Sequence, residues 1–141
     1  PVYVGSVAGG GMTVQSLTGI AQYSSFLVRF SYSATAANTQ FRVAISDDNG
    51  STYGSVIPIA SPGTALSMAH GSATISNTGV TATSKTVTPF VAQANDLDAT
   101  GGVSAYTTTG TEAVKTGITN AVQFSGSNSS TSWQADVYGI P

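Results

Sequence analysis

The side chains that could carry acid–base or nucleophilic chemistry are few in this chain. It has six acidic residues, four Lys or Arg and a single histidine, His70, in 141 residues. A Ser-His-Asp triad would need His70 beside an acid and a serine, and no Gly-x-Ser-x-Gly turn is present to expose a nucleophile. Catalysis usually requires several such groups to converge in one cleft. We therefore predict no catalytic site and no enzymatic activity, and we expect His70 in a loop or at an interface.

Two short stretches carry oxygen ligands of the kind that a hard cation such as Ca²⁺ prefers. One is Asp47-Asp-Asn49 and the other is Asn95-Asp-Leu-Asp98. Neither has the glycine and glutamate spacing of an EF-hand loop. We interpret both as solvated turns in which an Asp or Asn side chain bonds to nearby backbone, and predict no metal site and no cofactor.

The rest of the composition indicates a folded domain with a hydroxyl-rich surface. Hydrophobic residues make up 40% of the chain, the mean hydropathy is positive, and 20 serines and 20 threonines accompany them. A disordered Ser/Thr tract would be poor in apolar residues. There is no cysteine, so disulfides and thiol chemistry are excluded. The length suits a single domain over residues 1–141.

The charge pattern excludes two classes of partner. The formal net charge is −2, and the four basic residues, Arg29, Arg42, Lys85 and Lys115, are scattered along the chain. Nucleic-acid binding needs clustered Lys and Arg to neutralise phosphates. No apolar run reaches the roughly 20 residues that span a bilayer. We predict no nucleic-acid or membrane partner, and Pro1 is compatible with removal of an initiator Met after cytoplasmic synthesis.

Alternating hydrophobicity predicts short β-strands separated by turns rich in Gly, Asn and Ser. The clearest strand is 26–32, where Phe26, Val28, Phe30 and Tyr32 share one side. The sequence predicts an all-β, single-domain antiparallel β-sandwich of eight or nine strands, either jelly-roll or immunoglobulin-like. Residues 64–77 give no clear pattern, and 1–11 form either an extended N-terminal arm or a strand with a plain loop. The predicted strands are 2–7, 13–17, 26–32, 41–46, 56–60, 85–91, 103–109, 121–125 and 133–138.

The segment Ser46-Asp-Asp-Asn-Gly-Ser-Thr-Tyr53 resembles the Asp-box of sialidases and many secreted β proteins. Ser46, Asp48, Gly50 and Thr52 match the motif positions, and Tyr53 stands where tryptophan is commoner. The resemblance implies a structural turn, in which the carboxylate accepts hydrogen bonds and the aromatic ring packs below. A sialidase itself is excluded, because its propeller needs repeated blades and two arginines cannot form its arginine cluster.

The tyrosines and the single tryptophan could bind sugars if they lie on an exposed face, because their rings stack and their polar atoms form hydrogen bonds. Trp133 alternates with Ala135 and Val137, which favours a place in the core. The other candidates are Tyr3, Tyr23, Tyr106 and Tyr138. Of these, Tyr3 and Tyr138 lie near the termini and are freer to make contacts.

The chain as a whole resembles small structural proteins of tailed bacteriophages, which are rich in Gly, Ser, Thr and Ala, free of cysteine and nearly free of charge. Two segments carry this resemblance: Phe41-Arg-Val-Ala-Ile-Ser-Asp-Asp-Asn-Gly-Ser-Thr-Tyr53 and Ala135-Asp-Val-Tyr-Gly-Ile140. It implies a capsid decoration (cement) protein on the outside of the virion. The partners would be the major capsid protein and the chain itself, as a dimer or trimer.

Such a protein would bind its neighbours through an exposed strand edge or terminus. The predicted contact residues lie near the two ends of the chain: Val2, Tyr3, Val4, Tyr138 and Ile140. The alternative function is a carbohydrate- or receptor-binding module of a tail fibre or secreted protein.

Overall fold

The computed structural model describes residues 1–36, 39–61, 67–94, 103–107, 111–113 and 115–141. These residues contain eleven β-strands and no helix. Accordingly, no helix within those ranges is long and apolar enough to cross a membrane. The strands are β1 (Val2–Gly10), β2 (Val14–Thr18), β3 (Ser25–Ala34), β4 (Phe41–Ser46), β5 (Ile57–Ala60), β6 (Ser67–Ser76), β7 (Lys85–Ala94), β8 (Val103–Thr107), β9 (Thr111–Ala113), β10 (Ala121–Gly126) and β11 (Thr131–Ile140).

The strands form two antiparallel sheets that pack face to face. The seven-stranded sheet has the order β1-β11-β3-β6-β7-β8, with β9 also paired to β7. The four-stranded sheet has the order β2-β10-β4-β5. The predicted all-β sandwich is confirmed.

The connectivity is that of a jelly roll with an insertion. If β7, β8 and β9 are set aside and the other eight strands are renumbered along the chain, the sheets become 1-8-3-6 and 2-7-4-5. This is the double Greek-key order of the jelly roll. The inserted strands extend one sheet beyond β6.

Each of the nine predicted strands overlaps a strand of the structure, and β6 and β9 are the two that were not predicted. In β6 three successive inward positions, Ala69, Gly71 and Ala73, are small residues and only Ile75 beyond them is large, so the usual alternation of large apolar side chains is missing. Gly71 is required there, because a Cβ would lie 2.6 Å from the carbonyl oxygen of Phe90 on the neighbouring strand. Residues 2–10 are also a full strand of the sheet, paired with β11 along their length.

An aromatic cluster around Phe41 joins the two sheets. Phe41 is fully buried, and its ring lies 5.2 Å from Phe30, 5.3 Å from Trp133, 5.6 Å from Tyr32 and 5.8 Å from Phe124, measured between centroids. Phe30, Tyr32 and Trp133 come from the seven-stranded sheet, and the other two come from the four-stranded sheet. Trp133 is therefore a core residue, as its alternation with Ala135 and Val137 predicted.

Candidate functional site

The turn after β4 binds its own backbone through the motif residues singled out in the sequence. The buried Ser46 hydroxyl donates to Asp48 Oδ1 (2.6 Å) and accepts the backbone N–H groups of Asp48 (3.2 Å) and Gly50 (2.9 Å). Asp48 Oδ1 also accepts the Thr52 N–H (2.9 Å), and Oδ2 accepts the Thr52 hydroxyl (2.5 Å). We refer to residues 46–53 as the Asp-box-like turn, and its side chains hold one fixed loop shape.

The Asp48 carboxylate is engaged by this network. Hydrogen bonds from the Ser46 hydroxyl, then from the hydroxyl and N–H of Thr52, hold the pKa of the Asp48 carboxyl well below its usual range. Gly50 has a φ of 87°, and a Cβ there would lie 2.9 Å from the hydroxyl oxygen of Tyr53. The tyrosine thus packs against the glycine, and both serve the shape of the turn.

The neighbouring Asp47 carboxylate is bound by groups of the protein from a distant segment. Its Oδ1 lies 3.3 Å from Lys115 Nζ, and its Oδ2 accepts the Gly117 N–H (3.0 Å). Lys115 also donates to the Thr52 hydroxyl (2.6 Å). The oxygens that would hold Ca²⁺ at residues 47–49 therefore already bind an ammonium and an N–H group. The other predicted cluster, 95–98, lies outside the described residues.

A buried lysine ties the same end of the sandwich together. Lys85 has no exposed surface, and its Nζ donates to the carbonyl oxygens of Val80 (2.5 Å), Thr83 (2.8 Å) and Thr116 (2.9 Å). Burial lowers the pKa of Lys85, and the nearby charge of Asp47 opposes this. All three ammonium hydrogens have acceptors. Lys85 thus fastens the β6–β7 loop to residue 116, a role that its scattered place in the sequence did not suggest.

The residues predicted as contacts for a partner come together at one corner of the seven-stranded sheet. Val2 is 47% exposed and Tyr3 is 59% exposed. Tyr3 pairs in register with Tyr138, and their rings meet edge to face at 5.7 Å. Val4 and Ile140 are half-buried nearby on the same two strands. We refer to these five residues as the β1 corner.

The corner belongs to an open sheet edge. Among the described strands, β1 pairs with β11 alone, so its outer side presents backbone N–H and C=O groups. Residues 2–10 include no charged residue and no proline, the features that natural edge strands use to prevent unwanted pairing. One irregularity interrupts the register, between Tyr3 and Gly5. A bulge also limits pairing at an edge, but residues 5–10 continue in register with β11 without a further shift. This stretch of the edge is chemically suited to pair with another strand.

The outer face of the seven-stranded sheet carries a second surface, which was not predicted. Two adjoining hollows of about 660 and 360 Å³ share Ser31, His70 and Gln134. Together they form one open groove, which we call the outer groove. Its polar side chains come from three strands, and Phe90 of β7 is its exposed aromatic ring. The second hollow also reaches Ala8 and Gly9 of β1. The polar residues are Arg29, Ser31 and Ser33 from β3, His70 and Ser72 from β6, and Ser132, Gln134 and Asp136 from β11.

The polar side chains of the outer groove are not used by the fold. Within the described part of the chain, the side chains of Arg29, His70, Gln134 and Asp136 form no hydrogen bond or ion pair, although Arg29 and Asp136 are register partners. Phe90 is 74% exposed. The expectation of a loop for His70 is wrong, because the residue is exposed within β6.

The sequence did not suggest this surface because its members are far apart along the chain. Only strand order and register place Gln134 and His70 on either side of Ser31, with Arg29 in the adjacent row. The alternation of polar residues with Phe26, Val28 and Phe30 on β3 identifies the solvent-facing side, and that is the one signal the sequence held.

Of the aromatic candidates, Tyr23 is half-buried against Phe26, with ring centroids 5.6 Å apart.

No protein-family model and no curated protein matches this chain. In the ranges that the structure describes, no three His, Asp or Glu side chains are grouped so as to hold a metal ion. The functional argument therefore rests on the β1 corner and the outer groove.

Proposed function

We propose that this chain is a non-enzymatic structural protein of a bacteriophage virion, a capsid decoration (cement) protein that binds the outside of the shell and stabilises it. It would be made in the host cytoplasm and would bind the major capsid protein and further copies of itself, as a dimer or trimer. The observation that carries the proposal is the β1 edge. It is long, uncharged and open, and it ends in the exposed side chains of Val2 and Tyr3.

Such an edge binds by adding a strand. Its unpaired N–H and C=O groups form a ladder with an extended segment of another chain, and side chains at alternate positions supply specificity. At the β1 corner, the Tyr3 and Tyr138 rings and Val2 provide apolar surface beside that ladder. The pairing partner is either β1 of a second copy or an extended segment of the shell protein.

The weakly charged surface supports the same role. Ten charged residues in 141 leave a surface of hydroxyls, amides and backbone groups. Such groups form neutral hydrogen bonds without the desolvation cost of burying an unpaired charge. A contact repeated over many shell subunits needs little strength at each site, because multivalency adds to the total affinity.

The jelly-roll strand order adds an analogy. This architecture occurs in viral capsid domains and in lectins. A fold alone does not fix a function, so the strand order supports the proposal only together with the β1 edge.

A charge placed on the β1 edge tests the proposal. Val2→Lys puts an ammonium beside the open ladder, and Val56→Lys is the matched control, since Val56 is 50% exposed and precedes β5 of the other sheet. We expect the wild-type chain and Val56→Lys to self-associate in sedimentation equilibrium and to rebind shells stripped of the protein at a saturating stoichiometry. Val2→Lys should do neither, while melting at the same temperature.

The shells also provide the functional measurement. Rebound wild-type protein should raise the fraction of particles that survive heating. A wild-type chain that stays monomeric over the whole concentration range and does not bind the shells would refute the proposal. Equal shell binding by both variants would show that the β1 edge is not the contact.

A further inference from the structure

We propose that the outer groove is a binding site for a neutral oligosaccharide. This goes beyond the proposed structural function, because a sugar site is a second activity and the groove shares no residue with the β1 corner, although Tyr138 lies on the same side of β11 as Gln134 and Asp136. The inference rests on three properties of the groove: the spacing of its polar side chains, their balance of charge, and one exposed aromatic ring.

The register sets the polar side chains in two parallel rows. Asp136, Arg29, Ser72 and Phe90 lie opposite one another on β11, β3, β6 and β7. The next row toward the other end holds Gln134, Ser31 and His70. Neighbouring strands are about 4.8 Å apart, and alternate residues along a strand are about 6.8 Å apart. Polar groups thus recur at intervals of about 5 to 7 Å across and along the strands, so one bound oligosaccharide can reach several of them at once.

These groups offer both donors and acceptors that the protein leaves open. The Arg29 guanidinium presents N–H donors in a fixed plane, the Asp136 carboxylate accepts, and the Gln134 amide does both. None of the three side chains bonds to another described residue. A sugar hydroxyl donates and accepts at once, so a row of such planar groups suits a polyol.

The charge balance favours a neutral ligand. The positive charge of Arg29 and the negative charge of Asp136 lie on adjacent strands at the same register position. A phosphate or carboxylate would meet the Asp136 charge as well as the arginine, and the lining includes no lysine. The groove therefore does not resemble an anion site, in which several cations converge.

Phe90 supplies the apolar element that sugar rings need. Its side chain is 74% exposed beside the Ser72 position, and it is the one large apolar side chain among the groove's described lining residues that is exposed. A protein-docking surface would present a wider apolar patch. A single exposed ring among hydroxyl, amide and charged groups instead matches the C–H face of one sugar, with its hydroxyls directed to the polar rows.

Binding to a printed glycan array tests the proposal. The array carries short neutral hexose and N-acetylhexosamine oligosaccharides, with sialylated and uronic-acid oligosaccharides as separate arms. The strongest neutral binder is then titrated into the full chain by calorimetry. Phe90→Ala and Gln134→Ala are the groove variants, and Val14→Ala and Gln123→Ala are matched controls on the four-stranded sheet.

We expect the wild-type chain to retain neutral oligosaccharides. Each groove variant should weaken binding by about tenfold or more, and the two controls should bind as the wild type does. Phe90, Gln134 and Val14 are exposed, so these three variants should keep the wild-type melting temperature. Gln123 is half-buried and donates one hydrogen bond to the Ser16 hydroxyl (3.3 Å), so its variant should melt only slightly lower.

Three results would overturn the proposal. The first is a wild-type chain that retains no neutral oligosaccharide or only the acidic arms. The second is equal binding by groove and control variants. The third is loss of self-association in the groove variants without any sugar binding, which would assign the face to contacts between copies. The Val2→Lys experiment fails or succeeds independently of these results, since Val2 lies at the opposite end of β1 from Ala8 and Gly9, the two β1 residues that line the groove.

Discussion

Replacement of the buried lysine gives the sharpest test of how this end of the sandwich is held together. Lys85→Met keeps the length and apolar stem of the side chain and removes the ammonium. The carbonyl oxygens of Val80, Thr83 and Thr116 then lose their shared donor at once. The variant therefore isolates the hydrogen bonds from the packing of the stem.

The expected loss can be worked out from these three bonds. Hydrogen bonds to a charged group contribute about 1.5 to 3 kcal/mol each, and an unsatisfied buried carbonyl costs about 1 to 3 kcal/mol. Against this stands the desolvation of the ammonium, which the lowered pKa of Lys85 reflects and which methionine does not suffer. We expect a net loss of about 3 kcal/mol in the free energy of unfolding. For a domain of this size, that corresponds to a melting temperature lower by about 10 °C.

Urea denaturation followed by circular dichroism measures this loss, with Lys115→Met as the matched control. Lys115 keeps 19% of its side-chain surface exposed and pairs with Asp47, which is itself partly exposed. The control removes this ion pair and the Lys115 hydrogen bond to the Thr52 hydroxyl. Together these contribute about 1 to 2 kcal/mol, so the control should lose less than Lys85→Met. A loss in Lys85→Met no larger than that in Lys115→Met would refute the argument that the three carbonyls depend on one buried donor.

Three further substitutions test other parts of the structure. Folding lowers the pKa of Asp48, so the ionised carboxylate stabilises the folded state at pH values above its ordinary pKa of 3.8. This contribution is lost as the pH falls below that value. Asp48→Asn should therefore flatten the acid side of a plot of melting temperature against pH. Phe41→Ala removes the ring shared by both sheets and should cost about 3 to 5 kcal/mol in urea denaturation. Gly50→Ala forces a Cβ into the left-handed region against Tyr53 and should cost about 1 to 2 kcal/mol by the same measurement.

Each of these substitutions has a control within the chain. The control for Asp48→Asn is Asp136→Asn, which makes the same change outside the turn. The control for Phe41→Ala is Phe90→Ala, which removes an exposed ring, and the control for Gly50→Ala is Ser51→Ala at the exposed neighbouring position. Acid sensitivity that is unaltered in Asp48→Asn would contradict the role given to the carboxylate network. Losses equal to those of the two other controls would contradict the packing arguments for Phe41 and Gly50.

Strands with strong alternation could be predicted from the sequence. Along β3, the residues from Phe26 to Tyr32 alternate between large apolar and polar or partly exposed, so its position and its inward side follow from the pattern alone. In β6 the inward positions Ala69, Gly71 and Ala73 are small, and at Gly71 the backbone of β7 leaves no room for a side chain. Small residues carry little periodic signal, and the strand was therefore missed.

The candidate sites also differ in whether their residues are close together or far apart in the sequence. The Asp-box-like turn is a local motif, so Ser46, Asp48, Gly50 and Thr52 could be recognised within eight residues. The acceptors of Lys85 include a carbonyl that lies 31 residues away in the chain, and lysines are almost never fully buried. The outer groove depends on the pairing of β3 with β6 and β11, which no local pattern encodes. Sequence reasoning therefore reaches the turn and does not reach the assembled surfaces.

The strand order has a consequence for how the protein acquires its structure. The last two strands, β10 and β11, occupy interior positions, β10 between β2 and β4 and β11 between β1 and β3. Neither sheet can complete its strand pairing until residues 121–140 have left the ribosome, and β1 has no partner strand until then. Folding must wait for contacts between distant parts of the chain, which typically takes on the order of milliseconds to seconds. During that interval an uncharged β1 is free to pair with the wrong chain, so nascent-chain crowding and chaperones bear directly on the yield of native protein.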